Sequence, residues 1–77
     1  MSNFRPLPTK CWENLLRTLG YTHIRTKGSH DQWTKKGFRT IPVWGNEKEI
    51  PAQHIKSSSA TFNWTSENVY SWAKENC

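Results

Sequence analysis

The spacing of the apolar residues changes at Gly20, and this change constrains the fold more than any other feature of the chain. Before Gly20, five residues follow the spacing of one helical face: Cys11, Trp12, Leu15, Leu16 and Leu19. Thr9 is a suitable N-cap, and glycine is the usual residue just beyond a helix C-terminus. After Gly20 the side chains alternate in type, as they do along a strand. The sequence therefore predicts a helix over about 9–19 that leads directly into a strand.

Two turn signals after the first strand predict two further strands. Lys27-Gly28-Ser29 is turn-like, and Lys36-Gly37 is a two-residue connection of the kind that joins hairpin strands. Pro42 lacks the amide hydrogen that a central strand donates, so the third strand should end there or lie at a sheet edge. The three strands are expected over about 21–26, 30–35 and 38–43.

The second half of the chain predicts two helices. Pro51 is favoured at a helix start, and the serine run 57–59 makes a poor helix interior, so the first helix should be short. Thr65 is a candidate N-cap for the last helix. The order α-β-β-β-α-α predicts an α+β fold, with a three-stranded antiparallel sheet and the helices on one face. We expect one domain over 1–77, with a core of about 9–60 and a Trp-rich C-terminal helix of about 65–76.

A lean core and a positive charge narrow the classes of function. Hydrophobic residues make up 34% of the chain, so its five Trp, three Phe and two Tyr residues must supply much of the buried area. We expect Trp33 and Phe38 in the core. The formal net charge of +5 favours nucleic acid, an anionic membrane or an acidic protein as partner. No apolar run approaches the ~20 residues of a spanning helix, and residues 1–8 lack the apolar segment of a signal peptide. We therefore expect no membrane association and a cytoplasmic location.

The cysteines and histidines give no sign of a metal site. Cys11 and Cys77 lie near opposite ends of the chain. A disulfide between them is compatible with their number, but the lack of an export signal favours reduced thiols. Neither these cysteines nor the three histidines have the spacing of zinc ligands. We therefore expect neither a metal nor another cofactor.

The segment from Arg25 to His30 combines residue types that suit a phosphodiester. Arg25 and Lys27 can hold a phosphate, and Gly28 lets the backbone approach a ligand closely. His30 can take or give a proton near neutral pH. A polar turn of ordinary composition contains several of the same residue types, so these residues alone leave both interpretations open.

Four short motifs occur in a characteristic order across about residues 10–60: Gly20-Tyr21, Arg25-x-Lys27-Gly28-Ser29-His30, Ile41-Pro42 and Glu49-Ile50-Pro51. In this order the chain resembles the HicA-type mRNA interferase toxins. The resemblance implies a fold like that of a double-stranded-RNA-binding domain, and RNA cleavage without a metal by the histidine of Gly-Ser-His, here His30. It also implies that Arg25, Lys27 and Ser29 contact RNA, and that a HicB-like antitoxin is the partner.

Two features depart from the family pattern. Many members have a second histidine just after the proline of the third strand, where this chain has Trp44, and residues 63–77 form an unusual Trp-rich tail. The second proton-transfer group is therefore unassigned, with water, His23 and Ser29 as candidates. His54 is predicted on a short helix, at the surface. The remaining expected RNA contacts are Gly28, Lys35, Lys36, Arg39 and Trp44.

Three functions remain open at this point. The first is a ribonuclease toxin that acts on mRNA. The second is a non-catalytic double-stranded-RNA-binding domain of the same fold, which the substitution at Trp44 favours. The third is a small protein-interaction domain whose basic face binds an acidic partner. RNA binding that weakens steeply with salt would separate the first two from the third.

Overall fold

The structure is a computed structural model that describes residues 5–27 and 30–77, with the backbone alone described at 25–27. Three strands, over 22–27, 30–34 and 41–43, form one antiparallel sheet in that order, which confirms the α+β fold with a three-stranded sheet. Two shorter strands pair separately. In chain order the elements are β1 (Leu7–Pro8), α1 (Thr9–Thr18), β2 (Thr22–Lys27), β3 (His30–Thr34), β4 (Ile41–Val43), β5 (Glu49–Ile50), α2 (Ala52–Ser59), a 3₁₀ turn (Ala60–Phe62) and α3 (Ser66–Asn76).

The end of α1 has the predicted glycine stop. The amide of Tyr21 donates to the carbonyl of Leu16 at 2.9 Å, and Gly20, at φ +94°, donates to Arg17. These two bonds form a Schellman motif, which requires the left-handed conformation that glycine adopts without strain. The predicted N-cap at Thr9 is wrong, because Pro8 holds that position. The Thr9 hydroxyl instead donates to the carbonyl of Glu47 at 2.6 Å.

The β2–β3 hairpin sets the neighbours of the candidate phosphate-binding segment. Lys27 lies opposite His30 and Arg25 opposite Gln32, with a register shift between His23 and Arg25. The predicted strands over 21–26 and 30–35 are therefore confirmed within a residue or two at each end. Gly28 and Ser29, the predicted turn, lie outside the described residues.

The connection between β3 and β4 is longer than the predicted two-residue turn. Lys36 and Gly37 do form a tight turn, closed by a 3.0 Å bond from the Phe38 amide to the Lys35 carbonyl, with Gly37 at φ +86°. However, β4 begins only at Ile41, so the predicted strand over 38–43 is too long. Phe38 is consequently 38% exposed, and its predicted place in the core is wrong.

The edge position of β4 is as predicted from its proline. The strand pairs with β3 alone, and Pro42 lies opposite Gln32. On either side of Pro42, Ile41 and Val43 are fully buried. Proline is tolerated here because an edge strand needs amide donors on only one side.

A second, two-stranded sheet was not predicted. Leu7 pairs with Ile50 and Pro8 with Glu49, and the Thr9 amide donates to the carbonyl of Lys48 at 2.9 Å. Leu7 and Ile50 are both buried. Strands of two residues are too short to give a periodic pattern, so the sequence offered no signal for them.

The C-terminal helix belongs to the same core as the rest of the described chain. Thr65 caps α3 in a reciprocal capping box with Asn68, and Val69 and Ala73 are buried against the other helices. Cys11 and Cys77 form a disulfide, with their Cα atoms 6.0 Å apart, so the expectation of reduced thiols is wrong. Their closeness follows from the packing of α3 on α1, which sequence separation does not reveal. None of the helices in the described ranges is long and apolar enough to cross a membrane.

Candidate functional site

Three aromatic side chains meet beside the edge of the main sheet: His30, Trp44 and His54. The ring centroids of His30 and Trp44 are 4.5 Å apart at an interplanar angle of 81°. Those of Trp44 and His54 are 4.8 Å apart at 80°. Both imidazoles therefore pack edge-to-face with one indole, a favoured geometry for aromatic pairs. We call these three residues the histidine–tryptophan cluster.

The register of the sheet explains how His30 reaches Trp44. Asp31 pairs with Val43, so extending the pairing by one residue sets His30 opposite Trp44. Directly opposed residues of an antiparallel pair share a face of the sheet, where their side chains can touch. Trp33 and Ile41, one pair away from Pro42, are buried on the core side. His30 alternates with these core positions and lies on the outer face, half-buried.

His54 joins the cluster from the first turn of α2. Its Nε2 is 2.9 Å from the carbonyl oxygen of Pro42 and 3.3 Å from the hydroxyl of Ser58. A carbonyl can only accept, so Nε2 carries the proton and donates to Pro42. Burial lowers the pKa of His54, and the hydrogen bond to Pro42 opposes this effect in part. The neutral imidazole is thereby favoured near pH 7.

His54 is therefore half-buried, and its predicted surface position is only partly correct. Its place in the first turn of α2 follows from Pro51, but nothing in the sequence connects that turn to β4. The contact arises because the first turn of α2 comes within hydrogen-bond distance of the edge strand β4, where the carbonyl of Pro42 takes a donor from outside the sheet. The only sequence signal for this contact was a histidine three residues after a proline that starts a helix.

A cavity of about 690 Å³ opens beside Trp44 and His54. This volume lies in the range of small-molecule sites. Pro51 provides apolar surface, and the side chains of Glu47 and Glu49 form no hydrogen bond or ion pair within the described part of the chain. The lining residues are Trp44, Glu47, Glu49, Ile50, Pro51, Gln53, His54 and Ser57.

An aspartate of β3, Asp31, lies close to the loop after Trp44. A β-carbon on Gly45 would overlap one carboxylate oxygen of Asp31, Oδ2. The other oxygen of that carboxylate lies 3.4 Å from Nε2 of His23. His23 also packs against Trp33, at 5.5 Å between ring centroids. In the pairing of β2 with β3, His23 lies opposite Trp33, which faces the core. His23 is therefore on the other face of the sheet from His30 and the histidine–tryptophan cluster.

The other candidate residues divide into two groups. In the first group, the backbone of Arg25 lies opposite Gln32 and that of Lys27 opposite His30. The side chains of Arg25 and Lys27, and the whole of Gly28 and Ser29, lie outside the described part of the chain. The second group is at the opposite end of β3, about 16 Å from His30 at 3.3 Å per residue. Its members are Lys35, whose Nζ lies 4.7 Å from the Phe38 ring centroid, and the exposed Lys36 and Arg39.

The fold and the cluster define a small basic α+β domain with two imidazoles packed beside the edge of its sheet. A family model described as HicA toxin of bacterial toxin-antitoxin matches residues 12–59, which is 48 of the 77 residues. The chain therefore belongs to the HicA toxin family. No curated protein and no solved structure matches it. Within the described residues, no group of three or more His, Cys, Asp or Glu side chains could hold a metal ion.

Proposed function

We propose that this protein is the ribonuclease toxin of a toxin–antitoxin pair, which cleaves mRNA without a metal and uses His30 as a catalytic residue. The position of His30 carries the proposal. It is the first residue of β3, half-buried, opposite Lys27 and against the ring of Trp44. Membership of the HicA toxin family supports the toxin role and the antitoxin partner.

The chemistry requires two proton transfers at one phosphate. A base removes the proton of the 2′-hydroxyl, the 2′-oxygen attacks phosphorus, and an acid protonates the leaving 5′-oxygen. One positioned acid or base contributes typically ~10²–10⁴ to the rate. His30 performs one of these transfers. Arg25 and Lys27, near His30 in the backbone register, stabilise the charge that develops on the phosphorane.

The RNA lies on the side of the sheet that holds His30. Gly28 and Ser29 allow the phosphate close to the backbone, and Trp44 contacts a base or ribose. Lys35, Lys36 and Arg39 bind phosphates farther along the strand, about 16 Å from His30. The net charge of +5 favours such an interface, and it predicts binding that weakens with salt.

The antitoxin is a HicB-like protein that covers His30 and the basic residues around it. Acidic side chains suit that surface because they complement its charge. A protein that cuts mRNA and is neutralised by a partner acts in the cytoplasm, which is the location we propose. The disulfide and the packing of α3 support a single domain over 1–77, with the Trp-rich C-terminal helix as part of it.

Cleavage of a labelled transcript in EDTA tests the proposal. Wild type should cut the RNA, and His30→Ala should cut at least ~10²-fold more slowly while it binds RNA equally well. His23→Ala is the control, because it removes an imidazole that packs on Trp33 instead of Trp44, and it should slow cleavage much less than His30→Ala. Salt-sensitive binding without cleavage by wild type would instead support the non-catalytic RNA-binding domain. Absence of RNA binding would support the protein-interaction domain.

A further inference from the structure

We propose that His54 is the general base of the cleavage reaction, and that the cavity beside it receives the nucleotide whose 2′-hydroxyl attacks. The inference rests on the proposed function and completes it with the second proton-transfer group. His54, Trp44 and Gln53 line the cavity, and its volume is large enough for a nucleoside. Water, His23 and Ser29 are not needed for this step.

The hydrogen bonds of His54 leave one ring nitrogen ready to accept a proton. Nε2 donates to the carbonyl of Pro42 at 2.9 Å, so the neutral ring has its lone pair on Nδ1. Nδ1 forms no hydrogen bond with any residue that the structure describes. An imidazole whose tautomer is fixed by a backbone carbonyl is oriented for general-base catalysis.

The two imidazoles are spaced for one phosphate. Each packs against Trp44, at 4.5 Å for His30 and 4.8 Å for His54, so their centroids are at most about 9.3 Å apart. A base and an acid must stand on different sides of the phosphorus, near the 2′- and the 5′-oxygen respectively. Because both rings pack on one indole, His30 and His54 lie close enough for one nucleotide to reach both.

The charges around His54 agree with this role. Glu47 and Glu49 share its cavity, and His30 faces it across Trp44. Burial, rather than any of these groups, is the main cause of the lowered pKa of His54. The two carboxylates repel a phosphate from the cavity, so the cavity suits a ribose and its base while the phosphate remains near Lys27 and His30.

Cleavage consists of two proton transfers and the exchange of one bond at phosphorus for another. Nδ1 of His54 takes the proton of the 2′-hydroxyl while the 2′-oxygen forms its bond to phosphorus. The bond from phosphorus to the 5′-oxygen breaks, and His30, in its imidazolium form, gives a proton to that oxygen. The products are a 2′,3′-cyclic phosphate and a free 5′-hydroxyl, and neither oxidant nor metal is consumed.

His54→Gln tests the base role with little disturbance of the fold, since its amide can still donate to the carbonyl of Pro42. We expect cleavage at pH 7 to fall at least ~10²-fold, with RNA affinity unchanged. His23→Gln, which makes the same substitution at an imidazole outside the cavity, should lose much less activity than His54→Gln. Added imidazole should restore part of the rate of His54→Ala.

A substrate with sulfur in place of the 5′-oxygen at the cleaved bond distinguishes base from acid, because a thiolate leaves without protonation. On this substrate His30→Ala should recover and His54→Gln should not. The reverse pattern, or a wild-type rate for His54→Gln, would overturn the inference while the role of His30 stood. A wild type that cuts no RNA would overturn the proposed function, and this inference with it.

The pH profiles of wild type and His54→Gln provide a further test of the base role. Because burial lowers the pKa of His54 from its usual 6.5, the acidic decline of kcat/KM, which reports the free protein, should be centred below pH 6.5. A decline centred at or above pH 6.5 would overturn the assignment. If His54 is the base, the pH profile of His54→Gln should lack this acidic decline.

Discussion

The carboxylate of Asp31 lies against Gly45 so closely that residue 45 has no room for a β-carbon. Asp31 is on β3, next to His30, and Gly45 follows Trp44 in the loop after β4. This contact joins the two segments that hold His30 and Trp44. It thereby helps to fix the indole against which both imidazoles pack.

Gly45→Ala should therefore disturb the cluster as well as the fold. The added methyl forces Asp31 to move, and overpacking of this kind costs about 1–3 kcal/mol of stability. Urea unfolding measures this cost, and the cleavage assay should show a reduced rate from the displaced Trp44. In an Asp31→Ala background the same substitution should cost much less. Equal costs in the two backgrounds would contradict the contact.

Reduction of the disulfide should destabilise the protein strongly. Cys11 and Cys77 are 66 residues apart, and closing a loop of that length stabilises a domain by about 2–4 kcal/mol through the unfolded state. Dithiothreitol should lower the melting temperature of wild type by more than about 10 °C. Cys77→Ser should melt at the lower temperature with or without the reductant. A wild type that is insensitive to dithiothreitol would contradict the prediction.

Stability should decline on mild acidification because of His54. Its folded pKa lies below the unfolded value of 6.5, so the unfolded chain binds the proton more tightly. The stabilisation is complete above pH 6.5 and is lost as the pH falls through the folded pKa. Urea unfolding at pH 7.5 and 5.5 should show a smaller difference for His54→Gln than for wild type. Equal differences in His54→Gln and wild type would contradict the prediction.

The basic residues at the far end of β3 should act through phosphate contacts. Lys36→Ala and Arg39→Ala should each weaken RNA binding and lower the slope of log affinity against log salt by about 0.7. Lys74→Ala on α3 makes the same change of charge away from this surface and should leave the slope unchanged. Equal effects of all three substitutions would indicate a response to net charge alone. The cleavage rate at saturating RNA should remain that of wild type.

The local elements of the fold could be predicted because their signals are contained in short segments. The end of α1 at Gly20 and the capping box at Thr65 each involve residues within one turn. The edge position of β4 follows from the missing amide of Pro42. Where the local signal was weaker, the prediction was wrong: Phe38 has a strand-forming side chain but lies in the turn that Gly37 imposes.

The sequence by itself determined the α+β class, the family and His30 as the candidate catalytic residue, since each depends on residue types in a fixed order. Only the tertiary structure decided which groups surround His30. The approach of α2 to the carbonyl of Pro42 brings His54 to Trp44, and the packing of α3 on α1 brings Cys77 to Cys11. Both contacts join segments distant in sequence, and burial of a shared core, which has no local pattern, brings such segments together.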